Sequence, residues 1–307
     1  VVGQVGRDLV LTVDGVPDAG GAADVRERVE ALGGKGASQA RACRQLGVDV
    51  ALVGVVGDDH AGRSALAEAR GAGIDVTGAV TRAGARTALL VDVVGPPGER
   101  RLLEHVEPPV LLTPDDVRAA TPLLHAAGAV LLQLQQPAGA VRAALDAVGG
   151  RDVLVVADGA PPDDGLRDAL LAAGAVLRAD ADEAATLVGR AVDGVADTVD
   201  AARELVGRGA RVVALAAGSA GNVVAWAGGH VVTPLLGDDP VDPTGAGDST
   251  VAALAVALLT GRTPEEAAWW AAVAARRAVG HPGGWPDLDR DAVAAEAARA
   301  GRLPYGA

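Results

Sequence analysis

The chain has 307 residues, enough to bury a large core, and its 27 Lys and Arg against 40 Asp and Glu leave a formal net charge of −13. A surface this acidic argues against nucleic acid or an anionic membrane as the main partner. It leaves nucleotide binding open, because backbone N–H groups can serve phosphates. With no Phe or Met, one Tyr and four Trp, the core must be built from Ala, Val and Leu. The lone Cys43 has no internal disulfide partner and reads as a small buried apolar residue, which suits a reducing, cytoplasmic setting. The five histidines show no metal-ligand spacing. No window offers the ~18 apolar residues of a membrane span, and no signal peptide pattern is evident. The chain opens inside an apolar strand pattern without an initiator Met, so a few residues are expected to precede Val1.

Taken in order, the pattern alternates strand and helix. Val1–Val5 and Leu9–Val13 read as strand around Gly6-Arg7-Asp8, 18–21 as a turn, and Ala23–Leu32 as a further strand. Gly33-Gly34-Lys35-Gly36 opens a helix over Ala37–Leu46 that stops at Gly47. Val50–Val56 is a continuous apolar strand of the kind found in a parallel sheet covered on both faces. Gly57-Asp58-Asp59 begins a helix to about Arg70, and Thr87–Val94 with Arg101–Val106 form a hairpin around a four-residue turn. From Pro114 helices alternate with strands at Ala129–Leu134, Val153–Ala157, Ala175–Arg178 and Val212–Ala216. This alternation implies right-handed βαβ units: an α/β fold with a central, mostly parallel sheet and helices on both faces. The strands at about 9–32 and 87–106 fall outside the alternation and are expected to form a small β-sheet lid, the whole of 1–307 being one domain.

The most informative stretch is Val241-Asp242-Pro243-Thr244-Gly245-Ala246-Gly247-Asp248, running into the apolar segment 249–259. Two glycines at a loop-to-helix junction let N–H groups converge at the positive end of the helix dipole, where a phosphate is held without a cationic side chain. A carboxylate beside a bound phosphate would be repelled unless it has a task. The obvious task for Asp248 is to take the proton of a hydroxyl attacking that phosphate. Ligands of such sheets bind at the carboxyl ends of the strands. Gly6 and Asp8, the 33–38 loop, residues 133–137, 180–183 and 217–221 all fall there, which predicts one converging rim.

GGKGASQA at 33–40, GDDHAG at 57–62 and DPTGAGD at 242–248 together resemble the ribokinase-like (PfkB) family of carbohydrate kinases, most closely its ribokinase branch. The resemblance implies transfer of the γ-phosphoryl group of ATP to a sugar hydroxyl with Mg2+, on a parallel sheet with a β lid. It makes Asp248 the base and Gly245, Ala246 and Gly247 the anion hole. Asp8, Gly33, Gly34 and Lys35 become sugar contacts. Gly218, Ser219 and Gly221 become the loop beside the nucleotide phosphates. Asp180 and Glu183 align with an Asn-x-x-Glu motif that orders the water shell of Mg2+, with Asp in place of Asn. Asp242 with residues 279–283 aligns with a K+ site, from which the sequence Gly280-His281-Pro282-Gly283-Gly284-Trp285 departs.

Other departures cluster in the sugar pocket, where Gly6, Ser38 and Gln135 stand in place of Asn, Asn and Glu. Each buried polar partner discriminates among hydroxyls, so these exchanges bear on the substrate, with ribose or a related sugar as the lead. Plainer readings apply elsewhere. Asp58-Asp59 reads as a helix cap, Trp269 and Trp270 as core, and Arg276-Arg277 as a solvated helix face. Gly33-Gly34-Lys35-Gly36 is no Walker A loop, and no GxGxxG follows the first strand. Two alternatives stay open. One is a kinase for a nucleoside or a sugar phosphate, which calls for basic residues on the lid such as Arg86, Arg100 and Arg101. The other is a catalytically weak sugar- or nucleotide-sensing protein. The edges of the lid sheet suggest a homodimer through the lids.

Overall fold

Alternation of side chains across the strands decides the layering of the protein. The computed structural model describes residues 1–95, 99–237, 244–280 and 287–302. Its largest sheet has six strands in the order β12-β11-β10-β9-β8-β7. The strands are β7 (Ala129–Gln133), β8 (Leu154–Asp158), β9 (Val176–Ala179), β10 (Val212–Ala216), β11 (Asn222–Trp226) and β12 (Gly229–Thr233). The four from β7 to β10 run parallel, and β11 and β12 close the edge as an antiparallel hairpin that the sequence pattern had not predicted. Leu132, Val155, Leu177 and Val213 point to one face, and Leu131, Val156, Val176 and Ala214 to the other. Both faces are therefore buried, and each is covered by helices.

On the first face lie α5 (Ala138–Val148), α6 (Asp164–Ala172), α7 (Ala181–Val188) and α8 (Gly194–Gly207), joined by the short α3 (Pro114–Ala119) and α4 (Thr121–Ala126). On the second lie α1 (Lys35–Gln45), α9 (Ala246–Leu259), α10 (Pro264–Val279) and α11 (Arg290–Ala300). Helix α9 is buried all round from Ser249 to Ala257, and its Ala and Val side chains let α1 and α10 approach closely. The core is made of Ala, Val and Leu almost throughout, as the composition required.

The amino-terminal strand pattern resolves differently from the sequence reading. Arg7 and Asp8 are not a break between strands but lie inside β1 (Gly6–Val13), and of residues 1–5 only Val2 bridges to neighbours, Val53 and Leu132. Likewise 50–56 contributes β3 (Gly54–Gly57), paired with the short β4 (Ala79–Arg82), and isolated bridges at Ala51 and Val53. Single bridges suffice to carry the sheet from β7 across to β3 and β4. Between them α2 (His60–Gly71) starts at Asp59, which caps it by accepting from Gly62 N–H at 2.8 Å and also takes the Thr87 hydroxyl at 2.6 Å.

The lid is a four-stranded sheet, β2-β1-β5-β6, made of β1, β2 (Val25–Gly33), β5 (Ala88–Gly95) and β6 (Glu99–His105). Antiparallel β1–β2 and β5–β6 hairpins are joined by a parallel β1–β5 pairing, with Asp8 beside Leu90. Every second residue faces inward, so β1 presents Asp8, β5 presents Leu90 and Asp92, and β6 presents Arg100, Leu102 and Glu104 to one cavity.

Candidate active site

Between the lid and the carboxyl ends of β7, β8 and β9 lies a polar cavity of about 410 Å3. Its floor is the first turn of α9. Gly245 adopts φ 74°, a left-handed conformation that glycine takes without strain, and so turns the chain into the helix, whose amino end lies at the cavity. Thr244, Gly245, Gly247 and Asp248 line this floor. Ala246 is the first residue of the helix and does not line the cavity. Asp248, in that first turn, is brought within reach of Lys35 and Ser38 at the start of α1.

The sugar-side residues converge as expected in part. Asp8 is buried in the lid strand, and its Oδ1 accepts from the Gly34 N–H at 3.3 Å. Gly33 exists because of this packing: a β-carbon there would lie 1.8 Å from Asp8 Oδ1. Lys35, Ser38 and Gln135 line the cavity. Gln135 Oε1 accepts from Gln133 Nε2 at 2.9 Å, and Gln133 Oε1 in turn accepts the Gln4 N–H at 2.9 Å, which locks the 133–136 loop against the start of the chain. Gly6 and Gly33 do not line the cavity; Gly6 is buried against Ala88 and Leu90, and Gly33 makes room for Asp8.

Three residues escaped the sequence reading, and they join the site into a chain. Asp158 ends β8, is 2 % exposed, and accepts from Arg178 Nη1 at 3.0 Å. Gln39, fully buried on α1, donates its Nε2 to Asp158 Oδ2 at 2.8 Å and to Asp248 Oδ1 at 3.0 Å. The usable signals were the place of Gln39 within GGKGASQA, an Asp at a strand's carboxyl end and an Arg two residues before Asp180. Asp92 and Arg100 on the lid form a second ion pair, at 2.5 Å.

These contacts set the electrostatics. Burial pushes the Asp248 carboxyl up to about 7; nearby Asp158 adds to the rise, while Gln39, Lys35 and Arg178 oppose it. Burial also pushes Asp8 up to about 7, aided by Asp92 and Asp248 and opposed by the Gly34 N–H and Arg100. A carboxyl group poised near neutrality is suited to accept a proton in the working range of an enzyme.

The nucleotide-side residues sit at the carboxyl ends of the next strands. Asp180 caps α7 in a reciprocal box with Glu183, Asp180 N–H to Glu183 Oε2 at 2.8 Å and Glu183 N–H to Asp180 Oδ1 at 2.9 Å. Asp180 lines the cavity and Glu183 does not. Each uses one carboxylate oxygen in the cap, and no group of three His, Cys, Asp or Glu among the described residues forms a metal cage. That donor set fits Mg2+ carried mainly by phosphates and water, with protein contacts through the water shell. Gly218 and Ser219 lie in an exposed 3-10 turn after β10, followed by Gly221. They lie outside the cavity, at the same edge of the sheet. Asp242 and residues 281–283, the expected K+ site, lie outside the described residues. The plainer readings hold for Trp269 and Trp270, which are buried, but Arg276 and Arg277 are more than a solvated face, since both pair with Glu296 of α11.

A parallel α/β sheet with a lid, and beneath it a glycine-turned helix start carrying a carboxylate, define a class of phosphoryl-transfer enzymes. The pfkB family carbohydrate kinase model matches residues 1–290, and the chain belongs to that family. It is 31% identical to ribokinase of Bacillus subtilis over 291 residues, covering 93% of this chain and 95% of that protein. It is 30% identical to the ATP-dependent ribose-1-phosphate kinase of Halopiger xanaduensis over 293 residues, covering 95% of each. Among solved structures, Arabidopsis thaliana ribokinase complexed with ribose and ATP superposes with a TM-score of 0.78 at 25% identity, covering 98% of this chain and 97% of that one. Escherichia coli phosphofructokinase-2 in complex with fructose-6-phosphate superposes with a TM-score of 0.79 at 18% identity, covering 98% of each, and shares the fold.

Proposed function

We propose that this protein transfers the γ-phosphoryl group of ATP to a hydroxyl of a small free sugar, ribose or a close relative, with Asp248 as the base. The activity class is that of its family, ATP-dependent phosphorylation of a sugar. The observation that carries the reading is Asp248 at the amino end of α9, lining one polar cavity with Asp8 and Lys35. The lid strands and the rest of the chain act as one catalytic domain.

The steps follow from the residues. Asp8, Lys35, Ser38 and Gln135 hold hydroxyls so that one of them lies in line between Asp248 and the transferring phosphorus. The hydroxyl oxygen bonds to phosphorus, the bond to the ADP oxygen breaks with its electron pair leaving on ADP, and Asp248 accepts the hydroxyl proton late in the step. N–H groups at 245–247 stabilise the phosphoryl oxygens, and Gly218, Ser219 and Gly221 pass the remaining phosphates. Mg2+, when bound, neutralises phosphate charge, with Asp180 and Glu183 holding its waters. Asp242 belongs to a K+ site in this reading. The lid excludes water that would otherwise receive the phosphoryl group.

A free sugar is favoured over a sugar phosphate by charge. The lid half of the cavity carries Asp8, Asp92 and Glu104, and its cation Arg100 is engaged by Asp92. Arg86 and Arg101 are exposed and do not line it. Arg100 facing inward supports the second reading, a sugar-phosphate acceptor, as does the similarity to the ribose-1-phosphate kinase of Halopiger xanaduensis. ADP release with Mg-ATP across ribose, deoxyribose, fructose, adenosine, a keto-deoxy sugar acid and hexose and pentose phosphates, with and without K+, tests both. Turnover confined to a free sugar supports the proposal, and turnover confined to phosphorylated acceptors overturns it.

The outer face of the lid is the surface for a second copy. Leu89 and Leu103 are 37 % and 58 % exposed, with Val91 half-buried beside them, so the apolar face rather than the strand edges favours a homodimer.

A further inference from the structure

We propose that Arg178 is a further catalytic residue: its guanidinium, held by Asp158, contacts the phosphoryl group in flight at the amino end of α9. Gln39 acts as a positioning residue that sets this cation relative to the base. The inference rests on the kinase reading above and deepens it.

Arg178 is the last cavity-facing residue of β9 before Asp180, and its side chain is 16% exposed. Nη1 is committed to Asp158. Nη2 lies over Gly247, only 2.8 Å from where a β-carbon of that residue would stand. The guanidinium thus packs flat on the glycine whose N–H faces the phosphate position, and residue 247 can carry no side chain while Arg178 is there. Asp158 has two oxygens and both are used, one by Arg178 and one by Gln39, whose same amide nitrogen reaches Asp248. Four side chains from β9, β8, α1 and α9 therefore form one connected line from cation to base.

The chemistry explains why such a line is useful. As the phosphoryl group passes between acceptor and ADP oxygens, its charge spreads over three peripheral oxygens, and a planar guanidinium can bond two of them. A helix amino end supplies only backbone dipoles, so a full cation beside it adds stabilisation that is greatest in the transition state. The proton still leaves to Asp248 and the electron pair still leaves on ADP, so Arg178 changes no bond and only lowers the barrier. Asp158 keeps the cation from folding onto Asp248 itself, which would hold the base ionised but block the hydroxyl.

A plain buried ion pair is the competing explanation, and the test separates the two. Arg178→Met leaves Asp158 charged and buried, so it is paired with the double variant Arg178→Met/Asp158→Asn, which leaves no orphaned charge. Thermal melting, calorimetric binding of the accepted sugar without nucleotide, and steady-state kinetics are measured on both and on Arg178→Lys. Expected are melting within a few degrees of wild type for the double variant, sugar affinity within about threefold, and kcat lowered by about 100-fold or more. Arg178→Lys, which keeps charge but not the fork, falls between. A double variant with kcat within about threefold of wild type, or a sugar affinity that falls in parallel with kcat, overturns the assignment. Wild-type protein inactive on every sugar, or an active Asp248→Asn, sinks the kinase reading and this inference with it; an active wild type with a dead Asp248→Asn and an unimpaired double variant sinks the inference alone.

Discussion

Gln39 Nε2 stands 3.0 Å from Asp248 Oδ1, although 209 residues separate them along the chain. The same nitrogen reaches Asp158 Oδ2, so one neutral amide keeps two buried carboxylates apart. Gln39→Leu removes the donor that stabilises ionised Asp248 and leaves the carboxylates facing each other. The expected result is a folded enzyme whose acid limb in kcat/KM moves to higher pH and whose kcat at pH 7 falls by about tenfold. A pH–rate profile superimposable on that of wild type would contradict this.

Asp248→Asn retains the shape of the site and the hydrogen bond from Gln39 but cannot accept a proton. Turnover is expected to fall by about 1,000-fold while the KM for sugar changes little, because base catalysis is expressed in the transition state. Steady-state kinetics on the purified variant, with its fold checked by circular dichroism, decide the point.

The same carboxylates make stability depend on pH. Asp8 and Asp248 have ordinary values of 3.8 and are pushed up to about 7 in the fold. Between those values the native state binds more protons than the unfolded chain, so their contribution to stability falls as pH rises from about 4 to 7 and stays lost above it. Activity runs the other way, since kcat/KM is expected to decline below about pH 7 as Asp248 protonates. Asp248→Asn should therefore raise the melting temperature by about 2 °C or more at pH 8, and by less at pH 4.5. An equal shift at both values would argue against a raised native pKa.

Gly33→Ala introduces a β-carbon where Asp8 Oδ1 already lies, so Asp8 must leave its place on the lid. The KM for sugar is expected to rise by at least about tenfold, with a smaller change in kcat, since Asp8 holds the acceptor rather than the phosphoryl group. Kinetics at saturating ATP test this.

Leu103 lies on the outward face of β6, 58 % exposed. If a second copy covers that face, Leu103→Glu shifts sedimentation from dimer to monomer at micromolar concentration while leaving the melting of the α/β core nearly unchanged. A wild-type protein already monomeric at high concentration would dispose of the dimer.

Much of the architecture was legible along the chain because it obeys local rules. Apolar runs separated by helix-length segments announced a parallel sheet buried on both faces, and the hairpin at 88–105 and its partner strands stood out as breaks in that rhythm. The start of α9 was readable for the same reason: two glycines, then an acid, then an unbroken apolar helix leave few conformations open. Hence Gly245, Gly247, Asp248, Asp8 and Lys35 could be assigned to one rim before their distances were known. The reading failed where local rules are silent, as at Gly6-Arg7-Asp8, whose β conformation comes from cross-strand pairing to β2 and β5.

What the tertiary structure alone decided is which ordinary residues meet. Asp158, Arg178 and the Asp92–Arg100 pair carry no motif of their own, and Gln39, though inside the GGKGASQA stretch, shows no role there; each would pass as a helix or strand residue. Their meeting depends on strand register, the crossing of α1 with α9, and the inward face of the lid, all of which are long-range packing outcomes. Backbone preference acts over a few residues and can be read from them. The field at a carboxylate depends on every charge and dipole within several ångströms, and those are gathered only when the chain has folded.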